Sequence, residues 1–214
     1  MDEQPADARQ RQRRGGVLLS LSPQQRLVMA LASFMLAVGL TGIGVYATFT
    51  ASAAVSHSAT TATIALSLGA TGASTNRMNV NATGLQPGDI YYRSFDLING
   101  GSNPLASITL TTTAGTSSLL DTDTTNGLQM VLQRCSASWT ESGSSPNFTY
   151  SCSGVTQSVL ASRPVIGSTL ALSNLTATAP AGQDHLLLRM TFPSAAGDTF
   201  QGITSAFTFT FTGL

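Results

Sequence analysis

Alternation is the feature that most constrains this chain. Beyond residue 60 apolar side chains recur at every second position, and no long stripe with the 3.6-residue helical period interrupts them. A strand sends successive side chains to opposite faces, so such a pattern builds half-buried sheets. The cleanest case is 206–212 (AFTFTFT), with Phe207, Phe209 and Phe211 on one face and threonines on the other. Residues 61–68 (TATIALSL) set Ile64, Leu66 and Leu68 together, and 90–98 sets Tyr91, Arg93, Phe95 and Leu97 together. Further strands are expected at 108–112, 128–135, 148–152, 170–178 and 186–192. Pro87-Gly88 predicts a type II turn, because proline presets φ and glycine supplies the positive φ. Residues 117–127 (SSLLDTDTTNG) read as a short helix or structured loop. Seven or more strands separated by turn residues predict an all-β fold, a jelly-roll-like antiparallel sandwich of two sheets.

The first 47 residues read differently. Residues 1–26 are polar and hold five of the ten arginines (Arg9, Arg11, Arg13, Arg14, Arg26), and 27–45 is an uncharged apolar run. A basic segment followed by an apolar one is the pattern of a signal peptide. The run is long enough to span a bilayer as a helix, which leaves an uncleaved anchor open. Gly39, Gly42 and Gly44 weaken the helix near its end, and Val45-Tyr46-Ala47 favours a cut between Ala47 and Thr48. The Arg13-Arg14 pair sits too far from the apolar run for a twin-arginine signal. The expected organisation is a signal peptide over 1–47 and one sandwich domain over 48–214, exported to the cell surface or exterior. Contact with a membrane is expected only through the signal segment.

Within 48–214 five arginines face seven acids (Asp89, Asp96, Asp121, Asp123, Glu141, Asp184, Asp198), and the chain has no lysine. No basic stripe exists to displace counterions from phosphates, so nucleic acid is excluded as a partner. A surface of Thr, Ser, Asn and Gln repels its own copies weakly and tolerates self-association. Cys135 and Cys152, the only cysteines, predict one disulfide in an exported chain. It would fasten a long hairpin formed by 128–135 and 148–152, with 141–147 as the tip.

Candidate chemistry is scarce. The two histidines, His57 and His185, form no HExxH pair, and no GxSxG elbow offers a serine nucleophile. His185 reads as a solvated turn residue at a strand entry, and His57 lies in a stretch rich in Ser and Thr. Asp121 and Asp123 lack the terminal glutamate of a calcium loop, so capping or turn formation is the expected role. Arg93 is expected to pair with an acid at the sheet margin or to extend its head to water. Asn81, Asn147 and Asn174 head Asn-x-Thr triplets to which no role is assigned. No cofactor, metal site or catalytic residue is expected.

Three segments resemble the TasA/camelysin family: GLTGIGVYATFTASAAVSHSATTATIALSL, LQPGDIYYRSFDLINGGSNPLASITL and TFQGITSAFTFTFTGL. The resemblance implies export with a signal cut by a signal peptidase of the SipW type, a jelly-roll fold, and polymerisation into fibres of the biofilm matrix. The partners so implied are further copies of the chain and, during export, the signal peptidase. It places the cut before Thr48-Phe49-Thr50. It also makes 48–68 a donor segment that can add as a strand to a neighbouring subunit, anchored by Phe49, Ile64, Leu66 and Leu68. Camelysin itself is described as a cell-surface metalloprotease, but no metal-ligand motif in this sequence matches that label. Two features depart from the family pattern, the 26 residues before the apolar run and the cysteine-closed hairpin carrying Trp139. The leading expectation is a secreted structural protein that self-assembles by strand addition. The rivals are a monomeric or anchored cell-surface adhesion or binding module, and a metallo-endopeptidase.

Overall fold

The structure, a computed structural model, describes residues 45–55, 65–79 and 82–214. The apolar run before residue 45, His57, Ile64 and Asn81 lie outside them. Among the described residues twelve strands are present: β1 (Val45–Val55), β2 (Leu66–Leu68), β3 (Ala82–Leu85), β4 (Ile90–Asn99), β5 (Ile108–Thr116), β6 (Gln129–Cys135), β7 (Thr140–Ser144), β8 (Asn147–Ser151), β9 (Thr156–Pro164), β10 (Gly167–Ala171), β11 (Gln183–Thr191) and β12 (Thr204–Gly213). One helical turn, α1 (Leu119–Thr122), separates β5 from β6.

Ten of these strands form two five-stranded sheets, ordered β10-β5-β12-β1-β3 and β2-β4-β11-β6-β9. We call them sheet A and sheet B. Successive strands alternate between the two sheets at every step from β1 to β6 and again from β9 to β12, the alternation of a jelly-roll-like sandwich. Among the described residues every pairing is antiparallel except that of β1 with β12.

The alternation explains the core. Phe207, Phe209 and Phe211 of β12 and Ile108 and Leu110 of β5 are buried. From sheet B come Phe95 and Leu97 of β4, Met130 and Leu132 of β6, and Leu186, Leu188 and Met190 of β11. Phe95 and Phe211 meet across the two sheets, ring centroids 5.3 Å apart. Burying one such phenylalanine contributes about 1.5–3 kcal/mol.

The expected turn at Pro87-Gly88 is present. Gly88 has φ of 99°, and the Asp89 N–H donates to the Gln86 carbonyl at 3.0 Å. The loop at 117–127 holds α1, where Ser118 and Asp121 form a capping box and the Ser205 hydroxyl donates to Asp121 at 2.5 Å. Asp123 accepts from the Thr125 and Asn126 backbone N–H groups, so both acids perform capping and turn roles.

Two sequence expectations are corrected. The strand expected over 170–178 stops at Ala171. Buried Asp184 draws in the N–H groups of Thr176 and Ala177, at 2.8 and 2.7 Å, and bends the chain into a loop that a strand ladder cannot accommodate. Of the strand expected over 61–68, Leu66–Leu68 is present and 61–64 lie outside the described residues. Finally, 128–135 does not pair with 148–152. β6 lies between β11 and β9, and β8 pairs with β7 in a separate two-stranded sheet.

Candidate functional site

Two regions carry the features that bear on function. The first is the position of β1 in sheet A. Tyr46 to Val55 run parallel to Thr204 to Gly213, in register throughout, with Phe49 opposite Phe207 and Ala51 opposite Phe209. On its other side, among the described residues, β1 meets β3 through Val45, Tyr46 and Ala47. The expected cut between Ala47 and Thr48 therefore falls inside a strand, between the residues that meet β3 and most of those that follow β12. Leu66 and Leu68 are on β2 in the opposite sheet, opposite Asn99 and Leu97, with Leu66 buried and Leu68 packed against the core. The segment 48–68 thus contributes to both sheets.

The second region is the outer face of sheet B, where the β7–β8 hairpin lies. Cys135 at the end of β6 and Cys152 just after β8 form the expected disulfide, with Cα atoms 5.8 Å apart. It ties the hairpin to the sandwich instead of closing a single long hairpin. Arg77 supplies a second attachment. Its Nε donates to Glu141 Oε2 at 2.9 Å, its Nη2 meets Oε1 at 2.5 Å, and its guanidinium sits 4.7 Å from the Phe148 ring centre. The Tyr150 hydroxyl donates to Glu141 at 2.8 Å. Hydrogen bonding from Arg77 holds the Glu141 carboxyl below its ordinary range, and the Tyr150 hydroxyl acts in the same direction. Burial pushes the Tyr150 phenol up to about 12, and its bond to the ionised Glu141 adds to the rise. A cavity of roughly 170 Å³ separates the start of β4 from β8, lined by Tyr91, Tyr92, Arg93, Pro146 and Phe148 among others. Arg93 does not extend to water. It is 1 % exposed, donates to the Tyr92 carbonyl at 2.7 Å and lies 5.8 Å from the Tyr91 ring centre. Burial lowers its pKa.

His185 also departs from expectation, since it is a half-buried member of β11 and not a turn residue. The pairing of β4, β11 and β6 sets Asp96, His185 and Cys135 in one row. His185 Nδ1 is 2.7 Å from Asp96 Oδ1, and its Nε2 is 3.4 Å from the hydroxyl of Ser138. Gln183 donates to the other Asp96 oxygen at 2.9 Å. The loop carrying Ser138 is fixed beside this row by the disulfide and by Trp139, whose Nε1–H donates to the His185 carbonyl at 3.0 Å. Sequence reasoning missed the cluster because its members lie 42 and 47 positions apart and only the strand register unites them. The alternation around Asp96 and His185 was the one available signal, since it sends both to the face opposite the core.

The family model described as camelysin metallo-endopeptidase matches residues 22–130, half of the chain. No curated protein matches. The matched span holds β1 to β5, α1 and the start of β6, and it ends before the disulfide, Ser138 and His185. The family's description implies a metal, and the described residues do not fit one. No group of three or more His, Cys, Asp or Glu side chains converges among them. Both cysteines are consumed in the disulfide, and the Nδ1 of His185 is engaged by Asp96. A catalytic zinc takes three protein ligands, and these residues do not assemble such a set.

Proposed function

The chain belongs to the camelysin family, and from that premise we propose that it is an exported structural protein that assembles by exchanging β1 between copies. The observation that carries this reading is the pairing of β1 with β12, the one parallel pairing among the described residues. A ladder of backbone hydrogen bonds is indifferent to which copy supplies the strand, so a neighbour's Thr48 to Val55 can make eight of the same ten register positions. Withdrawal of β1 would leave β12 with a long free edge, and the chain has no lysine to guard it. Cleavage after Ala47 would separate from the mature chain the three described residues that meet β3. It would thereby loosen β1 on that side. Signal peptidase acts once in this scheme, the polymer partner is another copy, and the product lies outside the cell or on its surface.

Negative-stain imaging and sedimentation of the mature chain test this reading. Filaments are expected from Thr48–Leu214 and should be lost when residues 48–68 are removed. A synthetic 48–68 peptide should then bind the truncated chain as a capped monomer. Single molecules at high concentration, with β1 amides protected from exchange, would overturn it.

A second reading, a monomeric or anchored adhesion module, draws on the cavity beneath β8 and its tyrosine lining. It predicts no change in oligomeric state on deleting 48–68.

A further inference from the structure

Ser138, His185 and Asp96 stand in the order that nucleophilic acyl transfer requires, and we propose that they form a serine-nucleophile site for short, unhindered carboxylic esters. An ionised carboxylate only accepts hydrogen bonds, so Asp96 fixes the proton of a neutral His185 on Nδ1. That leaves the Nε2 lone pair facing the Ser138 hydroxyl at 3.4 Å, a length common for such contacts before substrate binds. Exposure is graded as the chemistry needs. The Asp96 side chain is 10 % exposed, that of His185 22 %, and Ser138 is open to solvent.

The scaffold is rigid where it matters. Asp96 and His185 are register partners on central strands, Gln183 holds the second Asp96 oxygen, and the Ser138 loop is pinned by the disulfide and by the Trp139 indole. An oxyanion needs N–H donors. The backbone N–H groups of Ser138 and Trp139 have no acceptor among the described residues. The residue after the nucleophile is where hydrolases of this chemistry draw one such donor.

In the first step Ser138 Oγ bonds to the ester carbonyl carbon and its proton passes to His185 Nε2. The ester C–O bond breaks, and the alcohol leaves with that proton. Water then attacks the acyl-serine, gives a proton to Nε2, and releases the acid as Oγ recovers its hydrogen. Ser138 is exposed, which suits the site to esters that reach the surface unhindered. The assignment is independent of strand exchange.

The test uses the mature chain with a biotinylated fluorophosphonate and 4-nitrophenyl acetate. A covalent label on Ser138, located by peptide mass spectrometry, is expected. Ester turnover should fall about a hundredfold or more in Ser138→Ala and His185→Gln. Chelators should leave both readouts unchanged. Because Ser138 is exposed, Ser138→Ala should retain the wild-type melting temperature and disulfide, which separates lost chemistry from lost fold. An unlabelled wild type, or labelling and turnover unaltered in Ser138→Ala, would reduce the trio to a static surface hydrogen-bond chain and overturn the proposal.

Discussion

β1 and the β7–β8 hairpin join the sandwich by opposite means. β1 is described as a row of backbone pairings along β12, ten positions long. The hairpin is fastened to the sandwich through a covalent bond, the Arg77–Glu141 ion pair and the Trp139 indole on the His185 carbonyl. Backbone pairing is generic, and any copy of the strand satisfies it. Side-chain and covalent fastening is particular to one chain and one geometry. The contrast separates a part suited to exchange from a part built to stay.

The most disruptive way to break this contrast is to damage the wall that β1 leans on. Phe209 is fully buried on β12, with Ala51 of β1 as its register partner. Phe209→Ala should cost about 3–5 kcal/mol in chemical denaturation. A loss below about 1 kcal/mol would mean that β12 is not the backbone of sheet A. Removing the disulfide with Cys135→Ser and Cys152→Ser comes next, at about 3 kcal/mol. Trp139 emission should shift to the red while amide protection of β1 stays the same. Equal loosening of both regions would erase the distinction.

The smallest effect sharpens it. Glu141→Gln removes one charge from the hairpin attachment and should cost about 1 kcal/mol. The carboxyl titrates below its ordinary 4.5 in the folded chain, so its contribution is complete above that pH and fades as pH falls through the lower folded value. Tyr150 behaves in the opposite sense. Burial raises its phenol from 10 to about 12, so its contribution to stability is complete below pH 10 and is lost as pH rises towards 12. Trp139 fluorescence during an acid titration should show the first transition in wild type and lose it in Glu141→Gln.

Much of this architecture was legible in the chain because it rests on local rules. Alternation located β4, β5, β6, β11 and β12, and Pro87-Gly88 and the Ser118–Asp121 box followed from short-range chemistry. Partnership was not legible. Nothing near Cys135 says that its strand lies between β11 and β9, and β9, largely exposed and rich in Ser, Thr and Gln, lacks the apolar rhythm that exposes a strand. Asp184 breaks the strand expected over 170–178 from outside that segment. His185 and Asp96 looked unremarkable apart and acquire meaning only as register partners. The disulfide was anticipated from composition, whereas its job of clamping a separate hairpin depends on topology.

The direction of β1 also sets a polarity. Running alongside β12, it carries the chain from the end where β12 starts to the end where β12 finishes. Ten residues at the rise of a strand separate those ends by roughly 30 Å. Leu214 follows Gly213, the partner of Val55, and so lies at the end of β1 opposite Val45. A series of copies handing β1 onward would therefore have two unlike tips.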